Sequence, residues 1–126
     1  MLTALRGLIH APCLTVTEEI APDVLIGLMD RMALVMSMRL HLLIFAASRA
    51  VPLAGISYDP KVAAFLDYIA QENCLDYDAL TSPERLYSLI DAAAAADRAA
   101  LAARTAEIVA VEQRNVEVTR RLLEKN

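Results

Sequence analysis

Residues 32–56 are apolar almost throughout, and few folds can hold such a stretch. A membrane-spanning helix needs about 20 apolar residues with few or no charges. Here Arg39, His41, Arg49 and Pro52 interrupt the run. The remaining solution is a series of short buried elements. Residues 33–38, ALVMSM, are nearly continuously apolar, as in a parallel strand covered on both faces. Residues 40–48 are apolar almost all round and read as a buried helix. Residues 51–57, VPLAGIS, read as the next strand, with Pro52 near its start where proline is tolerated.

The flanks continue this alternation. Residues 13–17, CLTVT, are short and β-branched and predict a strand. Pro22 and Asp23 open a helix whose apolar face is Val24, Leu25, Leu28, Met29 and Met32. Asp59 is an N-cap and Pro60 a first helical residue. Residues 74–77 predict a short edge strand. Strands alternating with helices over short connections mean α/β: a Rossmann-like parallel sheet of about three to four strands flanked by helices. Ser82, Pro83 and Glu84 start another helix, and no Gly or Pro follows. Residues 83–126 are therefore a C-terminal helical extension, as one long helix or two in sequence. Leu101, Ile108, Val111, Val118 and Leu122 form an apolar seam along it. That seam packs on the sheet or meets a partner. With 126 residues the chain has the length of one domain.

Composition narrows the function. At 57% apolar residues the chain can bury a core. Its net charge is −4, and no basic stripe interleaved with aromatics appears, which argues against nucleic acid. The two cysteines, Cys13 and Cys74, lie far apart without zinc spacing and read as free thiols. The N-terminus lacks a signal-peptide cleavage pattern. A soluble, cytoplasmic protein without a metal is expected. GxGxxG, Walker and GxSxG motifs are all missing.

Chemistry concentrates where two predicted strands end. Arg39 and His41 follow the first and Lys61 follows the second. In open α/β sheets ligands bind outside the carboxyl ends of the strands. All three residues fall at helix N-termini, the wrong end of the dipole for a cation. A phosphate or carboxylate between the junctions would bind helix N–H groups and these cations together. The bland alternatives are an Arg39 ion pair with Asp30 or Asp59, a core histidine at His41, and a solvated Lys61.

The stretch LMDRMALVMSMRLHLLIFAA, followed by VPLAGISYDPKVAAFL, closely resembles the bacterial polysaccharide pyruvyl transferase family. The similarity is greatest to the branch acting on N-acetylmannosamine in cell-wall polymers. RLH after an apolar strand, with YDPKV farther on, is specific in combination. The resemblance spans roughly residues 21–68 and is looser beyond. It implies the C-terminal, donor-binding half of a GT-B-like fold, with the family's N-terminal domain absent from this chain. It implies phosphoenolpyruvate as donor, a glycan or lipid-linked sugar hydroxyl pair as acceptor, and no cofactor. Arg39 and Leu40 of RLH, together with Lys61, fall on the donor-binding positions, and His41 on the catalytic one.

Two other readings compete. One is half of a GT-B nucleotide-sugar glycosyltransferase, for which Glu18 and Glu19 are the loose ribose-site candidates. The other is a non-catalytic interaction module, its C-terminal seam binding a partner helix. On either enzymatic reading an exposed seam predicts a homodimer through the C-terminal helices, with Asn115 fixing register.

Overall fold

The computed structural model describes residues 6–124. It is α/β, with a three-stranded parallel sheet of order β1-β2-β3. The elements are α1 (Pro22–Met29), β1 (Val35–Ser37), α2 (Leu40–Ser48), β2 (Leu53–Ser57), α3 (Pro60–Tyr68), β3 (Cys74–Asp76), α4 (Pro83–Ala94) and α5 (Arg98–Leu123). One 3-10 turn, Tyr77–Ala79, follows β3. Val35, Met36 and Ser37 pair with Leu53, Ala54 and Gly55, and Gly55, Ile56 and Ser57 with Cys74, Leu75 and Asp76.

The sheet separates two apolar clusters. On one face Leu53 meets Leu43, Ala46 and Ala47 of α2 and Val62 and Leu66 of α3, with Met29 of α1 and Leu101 of α5 behind them. On the other, Ala54 and Ile56 meet Leu89 and Ala93 of α4. Leu43, Leu53, Leu66, Leu101, Val51 and Val62 are fully buried, each worth about 1.5–3 kcal/mol relative to exposure. Gly55 lets both crossover helices approach β2. A Cβ there would stand 2.5 Å from Leu66 Cδ1 and 3.1 Å from Val62 Cγ1.

The two βα units repeat at a constant offset. Each strand ends in a buried serine, Ser37 or Ser57. An N-cap stands two residues on, at Arg39 or Asp59, and a helix of 9 residues follows. Each helix closes with an alanine in the left-handed region, Ala50 at φ 50° and Ala70 at φ 56°. Val51 N–H then reaches Ala46 C=O at 2.9 Å, and Gln71 N–H reaches Leu66 C=O at 2.8 Å. These are Schellman closures, normally made with glycine.

Three expectations need correction. Residues 13–17 form no strand, and Leu14 is 88% exposed. Strand preference is a preference for a paired, covered surface, and this segment has neither. The strand buried on both faces is the central β2; β1 is an edge strand, with Met36 40% exposed. Helix α2 is buried only along Leu43, Ala46 and Ala47, while Ile44 and Ser48 face outward.

The C-terminal extension is two helices. Residues 95–97 break the alanine-rich tract, and Asp97 caps α5 by accepting from Ala99 N–H at 2.8 Å. Arg98 and Arg104 pin the first half of α5 by donating to the carbonyls of Ala50 and Tyr68. From residue 109 to residue 124 every residue of this stretch is exposed.

Candidate functional site

Because β1 and β2 are adjacent and parallel, their carboxyl ends bring the two junctions side by side. In each, the terminal serine braces the turn. Ser37 Oγ accepts from Arg39 N–H at 2.8 Å and donates to Arg39 C=O at 3.2 Å. Ser57 Oγ donates to Asp59 C=O at 3.1 Å. Neither serine was expected at the site, although a serine closing an apolar run two residues before a helix cap is a legible signal.

The junctions diverge at the cap. Asp59 accepts from Lys61 N–H at 3.0 Å through Oδ1, and its Oδ2 lies 3.0 Å from Lys61 Nζ. This holds the Asp59 carboxyl below its ordinary value, mainly through the Lys61 backbone hydrogen bond and then its side chain. It also holds the Lys61 ammonium above its own ordinary value. The misplaced charge of Lys61 is thus already offset within its own turn.

Arg39 occupies the position equivalent to Asp59 and supplies no side-chain cap to α2. Among the described residues the N–H groups of Leu40 and His41 have no hydrogen-bond partner. Among the described residues the Arg39 guanidinium makes no ion pair either. Asp30, one candidate partner, is held bidentately by Arg49 at 2.7 Å, and Asp59, the other, by Lys61. His41 is exposed on the first turn, so it is not a core histidine. Leu40 is half-buried beside it. Asp59 has the largest effect on the Lys61 ammonium, raising it, and the positive charge of Arg39 works weakly in the opposite direction.

A cleft of about 460 Å³ adjoins the second junction, at the ends of β2 and β3. Tyr58, Asp59, Asp76, Tyr77 and Asp78 line it. Its carboxylates repel anions, so the surface that suits an anion is the open first turn of α2, beside the cleft. Glu18 and Glu19 lie in the irregular segment before α1, apart from both junctions in sequence. Burial and the charges of Asp76 and Asp67 push the Cys74 thiol up, away from a reactive thiolate. Among the described residues no cluster of three potential metal ligands occurs, and no helix is long and apolar enough to cross a membrane. No family model matches the chain, and no curated protein or solved structure matches it.

Proposed function

We propose that the chain is the donor-binding part of a polysaccharide pyruvyltransferase, acting in the cytoplasm on phosphoenolpyruvate. One observation carries the reading: the contrast between two otherwise matching helix N-termini. At α3 a carboxylate from the chain joins an N–H group to a cation. At α2 the same place offers two unbonded N–H groups, Arg39 and His41, and no carboxylate. An anionic ligand completes α2 as Asp59 completes α3. The resemblance of the RLH and DPK segments to the pyruvyl transferases supplies the identity of that anion.

Phosphoenolpyruvate carries a phosphate and a carboxylate and needs more than one cation. Arg39 holds one anionic group bidentately. Lys61, released from or shared with Asp59, serves the other, and Leu40 presents its backbone N–H. Ketal formation adds a proton to the enol carbon, removes protons from the attacking hydroxyls and expels phosphate. His41, exposed beside the donor position, is the general acid or base.

Titration calorimetry with phosphoenolpyruvate, inorganic phosphate and a UDP-sugar tests the proposal. Phosphoenolpyruvate should bind at least about tenfold more tightly than phosphate, because two anionic groups are engaged. Binding should disappear in Arg39→Ala. A preference for the UDP-sugar would move the chain to the glycosyltransferases, and no binding of any of the three would end the enzymatic reading.

A further inference from the structure

The two oxygens of Asp59 carry different duties. Oδ1 accepts from Lys61 N–H and caps α3, while Oδ2 lies 3.0 Å from Lys61 Nζ. The first contact is part of the helix start. The second joins two side chains open to water, Lys61 54% and Asp59 36% exposed, and ion pairs of that kind are weak. Oδ2 is therefore free to change partner while Oδ1 holds the carboxylate in place.

Its position decides which partners compete. In the strand order β1-β2-β3 the start of α3 lies between the end of β1, where the open turn of α2 begins, and the end of β3. On the β3 side Asp59 lines the cleft of about 460 Å³, together with Tyr58, Asp76, Tyr77 and Asp78. Among the described residues that line it none is a cation, and Lys61 is the cation that acts on Asp59. A phosphate or carboxylate seated at α2 draws Lys61 one way. Hydroxyl groups in the cleft approach Oδ2 from the other, because carboxylate oxygens accept their hydrogens and tyrosine rings supply flat apolar faces.

The chemistry calls for such a group. Forming a ketal from phosphoenolpyruvate and a diol breaks two O–H bonds and the C–O bond to phosphate. It makes two C–O bonds and one C–H bond. One hydroxyl proton ends on the enol carbon and the other leaves with phosphate, so nothing is oxidised or reduced overall. Both protons have to be collected from the acceptor. At the two helix starts the side chains able to accept one are His41 and Asp59.

We propose that Asp59 is a second catalytic residue: the donor anion takes Lys61 Nζ, and the freed Oδ2 accepts the proton of an acceptor hydroxyl that enters from the cleft. This role rests on the pyruvyl-transfer reading and adds to it a residue and a place for the acceptor. The Asp59–Lys61 pair then keeps the carboxylate occupied until the donor has arrived.

Carboxyl NMR titrations of the full chain, with and without saturating phosphoenolpyruvate, test the exchange. The Asp59 titration should move up with the donor, because the Lys61 side chain that helps hold it low has left. Asp76 and Asp78, in the same cleft, should move much less. Asp59→Asn keeps a good cap and so keeps the fold. It should tighten phosphoenolpyruvate binding by about two- to fivefold, since Lys61 is no longer contested. Asp76→Asn, which removes the same charge from the cleft, should give less than half of that gain. Phosphate release with a panel of methyl glycosides offering 1,2- and 1,3-diols should fall by about 10²-fold or more in Asp59→Asn, without a rise in KM for the donor. An Asp59 titration unmoved by bound donor, equal gains from Asp59→Asn and Asp76→Asn, or normal turnover in Asp59→Asn would each overturn the proposal and leave the donor reading standing. Phosphoenolpyruvate that does not bind, or that the wild-type chain never turns over, would end the pyruvyl-transfer reading and this role with it.

Discussion

Asp59 grips Lys61 at both ends, its two carboxylate oxygens each 3.0 Å from a nitrogen of the same residue, one backbone and one side chain. That grip makes α3 dependent on acid. A carboxyl whose folded pKa lies below its unfolded value adds stability above the unfolded value and loses it as pH falls through the folded one. The contribution of Asp59 is therefore complete above the ordinary aspartate value of 3.8 and fades as pH drops below it. Asp59→Ala should lower the melting temperature at pH 7 and reduce the acid-induced loss below pH 4. Thermal melts of both proteins from pH 2 to pH 7 check this.

Arg39 and Asp59 occupy one structural position with opposite charge, which sets stability against binding. Arg39→Asp gives α2 the cap it lacks, and such a cap is worth about 0.5–2 kcal/mol. The variant should unfold at higher denaturant yet lose all affinity for phosphoenolpyruvate. Urea melts and calorimetry on one preparation read both effects. An unchanged affinity would remove the anion from α2.

His41 has no hydrogen-bond partner among the described residues and no core to support. His41→Ala should therefore leave stability within about 0.5 kcal/mol. It should keep most donor affinity while abolishing pyruvyl transfer, because a proton-transfer group acts mainly in the transition state. Steady-state assays with an acceptor present decide; normal turnover would exclude the acid or base role.

Ala50 and Ala70 adopt left-handed backbone that costs an L-residue roughly 1–2 kcal/mol. Glycine relieves the strain, offset in part by about 0.4–1 kcal/mol from a more flexible unfolded chain. Each Ala→Gly change should raise stability by about 0.5–1 kcal/mol. The double variant should be nearly additive, since the sites close different helices. Equilibrium denaturation of the single and double variants checks the sum.

Gly55→Val forces side-chain atoms into Leu66 and Val62 beneath the two crossover helices. Overpacking of this kind costs about 1–3 kcal/mol. Leu66→Ala in the same chain should recover part of that loss. A cost equal to the sum of the two single changes, in denaturant melts, would show that the helices move apart instead.

What could be read from the sequence was what depends on local rules. Pro22, Pro60 and Pro83 mark the starts of three helices, and the apolar density around β2 marks the sheet. Cys13 to Thr17 misled because β-branching describes a residue's preference and says nothing of whether a neighbouring strand exists. The break at residues 95–97 carried a weak signal, Asp97 as a cap within alanines, without the glycine or proline that usually announces one. At the site, Arg39, His41 and Lys61 stood out because cations at helix starts are costly. The pairing of Lys61 with Asp59 was hidden, because Asp59 reads equally well as an N-cap and as a partner for Arg39, and only the fold decides which cation its second oxygen meets. Ser37 and Ser57 were hidden too, since a buried hydroxyl becomes meaningful only once its backbone partner is known.

The repeated βα unit supplies the molecule with its own reference measurement. His41 N–H and Lys61 N–H hold the same rank in two helices of the same length, in one chain and one solvent. One is tied to a carboxylate and the other is not. Once each rate is divided by the intrinsic rate that its flanking side chains set, the ratio of the two protections, followed with and without ligand under one condition, reports the occupancy of the α2 terminus. A compound that slows His41 toward Lys61 has bound where Asp59 would have been, so a single spectrum can rank ligands without any assay of turnover.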